Sequence, residues 1–204
     1  MKQAGFTLLE VMASVAILTI VSGMLFLLAD SLGAASLVQE AKMTSQDEAR
    51  MGMERVMGEL RQAANSSVIG PFPGDSITYR IADDIDGNGL AVDIGVNLEL
   101  GPARTLRRDT GDLNNDGQTV TQLVCVEGAN VRVITNGLIP NEDINNNGVL
   151  DGGEDVNGNG VLDRGLWFER VGPGVRVTIQ TQHRAGPRGP LIHSTLTETV
   201  VPRN

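Results

Sequence analysis

Residues 6–29 form an unbroken apolar run of 24 residues in which Glu10 is the only ionisable side chain. At about 1.5 Å per residue such a run crosses a hydrocarbon core, which takes roughly 20 residues. A carboxylate left unpaired at mid-membrane costs about 2.5–3.5 kcal/mol, so the run implies a partner for Glu10. Lys2 precedes the run and the next basic residue is Lys42, which predicts a cytoplasmic leader and an exported remainder. A secretory signal has a shorter apolar core followed by a small-x-small site; Ala29-Asp30-Ser31 offers no such site. A plain membrane anchor accounts for the length of the run but not for Glu10.

Beyond the leader and the span, the 204-residue chain leaves enough for one modest domain on a stalk. A net charge of −9 argues against a nucleic-acid surface, and aromatics at 3% give no stacking platform for bases or sugars. Cys125 is the only cysteine, so the exported domain is held by its core or by metal rather than by an internal disulfide. Its apolar surroundings predict a buried, inert thiol.

Residues 30–67 continue the helix. Leu37, Val38, Ala41, Met53, Val56, Met57, Leu60, Ala63 and Ala64 recur at helical spacing, with Glu54, Arg55, Glu59 and Arg61 between them. A helix from residue 6 to about 64 would be about 90 Å long. Residues 65–75, with Gly70-Pro71-Phe72-Pro73-Gly74, end it and form a linker. Residues 75–204 then change to a period of two. Val92, Ile94, Val96, Leu98 and Leu100 alternate with polar residues. Residues 120–126, 131–134, 175–180 and 195–201 are further strand candidates. Short intervals and glycine-rich turns favour an antiparallel sheet. The expected class is α+β, with a long N-terminal helix laid on that sheet.

Four segments repeat Asp-x-[Asp/Asn]-x-[Asp/Asn]-Gly, the first half of a calcium loop, with oxygen ligands at positions 1, 3 and 5 and a glycine at 6 for the sharp turn. In residues 143–154 every oxygen position is filled: Asp143, Asn145, Asn147, the Val149 carbonyl, Asp151 and Glu154. Residues 155–163 follow at once with Asp155, Asn157, Asn159, the Val161 carbonyl and Asp163. Their position 12 is Leu166, so this loop needs water or a carboxylate from elsewhere. Gly-Val-Leu-Asp at 148–151 recurs at 160–163, a 12-residue repeat. The segments at 84–93 (Asp84, Asp86, Asn88) and 112–118 (Asp112, Asn114, Asp116) are less complete, and Asn, Asp and Gly make turns without any metal. Structural Ca2+ at 143–163 would offset the ordering entropy of a long glycine-rich insertion.

Catalysis has little to stand on. His183 and His193 are the only histidines, and neither adjoins an activated Ser or Cys motif. The glycine-rich stretches lack the Lys-Ser/Thr of a phosphate loop. No enzyme activity is expected.

The string Gly5-Phe6-Thr7-Leu8-Leu9-Glu10 resembles the processing site of type IV prepilins and of type II secretion pseudopilins. The resemblance covers roughly residues 1–67 and is specific in the first 30. It implies cleavage after Gly5 by a prepilin peptidase, N-methylation of Phe6, and pairing of Glu10 with the N-terminal ammonium of a neighbouring subunit. It also implies a pilin-like fold, an inner-membrane location with an exported domain, and a periplasmic or extracellular filament made with other pilin or pseudopilin subunits. Residues 59–63 and 200–204 are similar to minor pilins that prime or cap filaments. Major pilins usually close a loop with a disulfide and pseudopilins often use calcium there. A minor pilin or minor pseudopilin is therefore the favoured expectation. The main filament subunit, or a membrane-anchored calcium-dependent adhesion or binding module, is the alternative.

Overall fold

The computed structural model describes residues 7–87, 90–91, 98–145 and 147–203. One α-helix, α1 (Leu8–Gln62), covers 55 residues without a break. Thr7 caps it: the Glu10 N–H donates to Thr7 Oγ1 at 3.3 Å, and the Thr7 N–H donates to Glu10 Oε2 at 2.9 Å. This capping box satisfies two of the backbone groups that a helix start leaves unpaired. At the other end Ala63 turns to extended backbone, and Ala63 and Ala64 bridge to Ile81 and Arg203. The helix stops where its chain turns extended and makes these isolated bridges.

The two ends of α1 have opposite surroundings. Every position from Thr7 to Glu40 is exposed. From Ala41 onward a stripe is buried, comprising Ala41, Ser45, Ala49, Gly52, Met53, Val56, Met57 and Leu60. The three- and four-residue spacing puts these side chains on one face.

Two antiparallel sheets receive that stripe. The first is a meander of β1 (Ser76–Tyr79), β2 (Arg104–Arg108), β3 (Leu123–Glu127) and β4 (Asn130–Thr135), paired in that order. The second contains β5 (Leu166–Val171), β6 (Gly174–Arg184) and β7 (Leu191–Val200), with β6 central. Bridges Gly74–Phe168 and Leu138–Thr181 link them. The expectation of one sheet is thus corrected to two. Their common core joins Leu60, Met53, Ile77, Leu106, Leu123, Phe168, Val177 and Ile179, all at 2% exposure or less.

Polar contacts set how the helix lies. Ser45 Oγ lies 3.0 Å from Thr181 Oγ1, and Thr181 Oγ1 donates to the Ser45 carbonyl at 2.7 Å. A Cβ on Gly52 would stand 2.7 Å from Thr135 Cγ2, so the glycine permits the close approach of α1 to β4. Glu59 accepts from Tyr79 Oη at 2.8 Å, from Arg104 at 3.2 Å and from Arg132. Burial alone would raise the Glu59 carboxyl, but these hydrogen bonds and the two guanidinium charges outweigh it and leave it below the usual carboxylate range. The same burial, with Cys125 and Glu59 alongside, pushes the Tyr79 phenol up. Cys125 is buried and free, with Sγ 3.9 Å from Tyr79 Oη.

Several strands differ from the sequence reading. The candidate at 120–126 begins only at Leu123, because Val120 takes a φ of +59° and closes a loop. β6 runs four residues beyond 180, to Arg184. Strands β1, β2 and β5 were not anticipated; β2 reads Arg-Thr-Leu-Arg-Arg, whose charges hide a buried Leu106. In the alternating stretch at 92–100, Val92, Ile94 and Val96 lie outside the described residues, while Leu100 bridges to Ala82.

Candidate functional site

The two candidate features are the start of α1 and the Asp/Asn/Gly loops. At the start, Gly5 and Phe6 lie outside the described residues. Glu10 is exposed and turned back over the first turn of the helix by its contact with Thr7.

Residues 140–165 leave the sheets between Ile139, whose N–H donates to the Gln180 carbonyl, and Gly165, whose carbonyl accepts from the Gln180 N–H. Within them the third and fourth loops are near copies. Asp143 accepts from the Gly148 N–H at 3.2 Å, and Asp155 accepts from the Gly160 N–H at 2.9 Å. Gly148 and Gly160 have φ of +79° and +71°, the left-handed backbone that position 6 requires. The Asn145 and Asn147 amides converge on Asp151 Oδ2 at 2.9 and 2.7 Å. In the same way Asn157 and Asn159 converge on Asp163 Oδ2 at 2.9 and 2.8 Å.

The closing carboxylates show a reciprocity that the sequence reading missed. Glu154 accepts from the N–H groups of Ile144, Asn145 and Asp151, positions 2, 3 and 9 of the third loop. Glu142 accepts from the N–H groups of Val156, Asn157 and Asp163, the same positions of the fourth. Glu142 therefore stands where Leu166 leaves a gap. The signal was present: the repeat unit is Glu-Asp-x-Asn-x-Asn-Gly-Val-Leu-Asp, beginning at Glu142 and again at Glu154. Each glutamate opens one loop and closes the other. Both are buried, as are Asp143 and Asp163.

The donors of this tandem are carboxylates, side-chain amides and carbonyls, the hard oxygen set that suits Ca2+. An amide is planar, and a half-turn about its last bond exchanges nitrogen for oxygen at nearly the same point. The convergence of Asn145, Asn147 and Asp151 thus fits a cation loop. Two contacts compete with a cation. Arg164 Nη2 lies 2.9 Å from Asp143 Oδ2, and His193 Nδ1 lies 3.9 Å from Asp163 Oδ2.

The earlier loops differ. Asp112 accepts from the Asp116 and Gly117 N–H groups, and Asn114 and Gln122 both donate to Asp116. Those contacts, led by Gln122 and the Gln118 N–H, hold the exposed Asp116 carboxyl below its ordinary value. At the first loop Asn88 lies outside the described residues. Asp84 and Asp86 are joined instead by Glu99, with one oxygen from each of the three within 4.8 Å of the others. Glu99 is 13 residues from Asp86; only the returning chain, fixed by the Asp83 N–H to Glu99 carbonyl bond, brings it there.

No curated protein and no solved structure matches the chain. Residues 1–26 match the family model described as the prokaryotic N-terminal methylation motif. The chain thus carries the N-terminal signature of type IV pilins and pseudopilins, on a helix that runs into an α+β domain.

Proposed function

We propose that this chain is a minor pilin or minor pseudopilin, a structural subunit that assembles from the inner membrane into a type IV pilus or a type II secretion-like filament. The carrying observation is the methylation motif at residues 1–26, on the same helix as an apolar run that no described part of the chain covers. A prepilin peptidase would cut after Gly5 and Phe6 would be methylated. The free subunit keeps Glu10 satisfied through Thr7. On assembly the carboxylate would exchange that partner for a neighbour's N-terminal ammonium, a pairing favoured in low dielectric. The apolar faces would pass from lipid to neighbouring helices without entering water. The mechanism is assembly, not catalysis. The similarity of residues 59–63 and 200–204 to minor pilins favours that role over the main subunit.

Within this reading the tandem at 142–163 holds structural Ca2+. Asp143, Asn145, Asn147, Val149, Asp151 and Glu154 would serve the first ion, and Asp155, Asn157, Asn159, Val161, Asp163 and Glu142 the second. Extracellular modules of this kind bind at about 10⁻⁴–10⁻³ M, which suits a fixed ion outside the cytoplasm. Asp84, Asp86 and Glu99 form a separate acidic cluster able to take a metal.

The test is a pair of substitutions in the full chain. Gly5→Leu should leave the leader attached and the subunit in the membrane. Glu10→Gln should be cleaved normally yet fail to enter filaments. Normal assembly of both variants would overturn the proposal; a Glu10→Gln variant that loses assembly favours it, whereas one whose only function, ligand binding, is left untouched would favour an adhesion module. For calcium, melting with the ion and with chelator should differ in the wild type and coincide in an Asp143→Ala, Asp155→Ala variant. Equal melting in the wild type would make the loops turns only.

A further inference from the structure

The chain as a whole is acidic, yet residues 170–197 contain no Asp or Glu and carry Arg170, Arg176, Arg184 and Arg188. These residues are the end of β5, with Arg170, then all of β6, the β6–β7 turn and β7 as far as Thr197. β6 runs antiparallel to α1: Ser45 meets Thr181, and nearer the helix start Leu37 Cδ1 lies 3.2 Å from where a Cβ on Gly186 would stand. Ala34, Leu37 and Val38 share a cavity of about 490 Å³ with Ala185, Pro187 and Pro190 of the turn. Arg184 Nη1 donates to the Gly189 carbonyl at 3.0 Å and braces the turn. Arg184, Pro187, Arg188 and Pro190 are exposed.

The height of this turn above the bilayer follows from the helix. The apolar run ends at Ala29, and the turn faces positions 34–38. At about 1.5 Å per residue it stands roughly 7–13 Å beyond the hydrocarbon edge. The headgroup layer is about 5–8 Å thick on each side, and an arginine stem reaches several ångströms further while keeping its head in the polar layer. The acidic residues on the elements packed around it are Asp30 and Glu40 of α1, on either side of positions 34–38, Glu48, whose carboxyl interacts with His183 next to Arg184, and Asp163 beside His193. None lies on the turn.

We propose that the β6–β7 turn, through Arg184 and Arg188, docks on anionic lipid headgroups of the exported leaflet and fixes the height and rotation of the domain before the subunit leaves the membrane. This rests on reading residues 6–29 as a span with an exported domain. The partner is a lipid surface because span and turn belong to one continuous helix–hairpin unit, which puts the arginines at headgroup depth whenever the helix is inserted.

The full chain is reconstituted into vesicles of phosphatidylcholine alone or with about one-third phosphatidylglycerol, with calcium present. A fluorophore is attached at Pro187→Cys or, as control, at Thr199→Cys at the far end of β7; Cys125 is buried and does not compete. A headgroup-linked quencher reports proximity. Quenching at 187 but not at 199 should rise with phosphatidylglycerol. Arg184→Gln and Arg188→Gln should each lower the docked-to-free ratio about fivefold, the effect of one basic residue near an anionic surface. Quenching that ignores both the anionic lipid and the arginines overturns the proposal. Quenching that follows protein density instead makes the turn a contact with a second copy, and also overturns it. Alkaline extraction keeps the two readings apart: an extracted chain sinks the span, whereas an inserted chain without quenching sinks the docking alone.

Discussion

Residues 8–40 and 41–62 of α1 share one uninterrupted backbone, and they are stabilised by different means. The first part is apolar on every side up to Ala29 and exposed throughout. A helix that is hydrophobic all round belongs in lipid or in a bundle of like helices. The second part is amphipathic and is fixed to the sheets by side chains: the core stripe, the Ser45–Thr181 pair and the Glu59 cluster. The backbone hydrogen bonds are the same in both. What differs is whether burial comes from within the chain or from outside it. Stability of the domain is therefore lodged in the second part, and the proposed membrane insertion and assembly fall to the first.

Four comparisons would break or sharpen that contrast. Leu60→Ala should cost the domain about 2–5 kcal/mol, because a buried leucine leaves both lost transfer energy and a cavity; Leu18→Ala should cost it nothing. Urea unfolding of the two variants side by side measures this, and equal losses would erase the distinction. Removing Glu59 comes next. Glu59→Gln leaves Arg132 without its carboxylate and Arg104 with Glu127 alone, and should cost about 1–3 kcal/mol at neutral pH. The folded carboxyl of Glu59 lies below its unfolded value, so its stabilisation is present above the unfolded pKa and lost as pH falls through the folded one. The acid limb of a stability–pH curve should be shallower in Glu59→Gln than in the wild type.

Glycine substitutions give a third contrast of similar or smaller size. Gly52→Val meets Thr135 and should cost about 1–3 kcal/mol through overpacking. Gly33→Ala, with nothing within 4 Å, should be neutral or raise helix stability by up to about 1 kcal/mol. Thermal melting of the two variants gives the comparison. The smallest effect is expected at Glu48. Burial raises its carboxyl, opposed by the charge of His183, and Oε2 is buried without a hydrogen-bond partner among the described residues. With a folded pKa above the unfolded one, Glu48 favours the fold at low pH and loses that advantage as pH rises through the folded value. Glu48→Gln should therefore be slightly more stable than the wild type at neutral pH, the reverse of Glu59→Gln. A destabilised Glu48→Gln would show that the carboxylate itself makes a contact worth keeping.

The loops repeat this lesson about local and non-local information. The loop geometry of the tandem was legible because its Asp/Asn/Gly pattern is contiguous, from Asp143 to Glu154. Glu142 was legible in principle, since the 12-residue repeat begins there, but its contact spans 14 to 21 residues and passes over the third loop to reach the fourth. Glu99 was not legible. Its approach to Asp84 and Asp86 depends on how the intervening chain returns. Strand β2 was hidden for a related reason: three arginines occupy a five-residue strand, and only its partners β1 and β3 decide that Leu106 faces the core.

The amino-acid sequence by itself determined the long helix, its apolar first part, the N-terminal methylation motif and the spacing of the Asp/Asn/Gly loops. Each depends on residues within a few turns of one another, where periodicity and side-chain chemistry act directly on the backbone. Tertiary structure alone decided the division into two sheets, the placing of Glu59 among Tyr79, Arg104 and Arg132, the exchange of glutamates between the loops, and the seating of an arginine-bearing turn beside Leu37. Those features join segments tens of residues apart. Pattern fixes which face of each element is apolar, but only packing decides which faces meet.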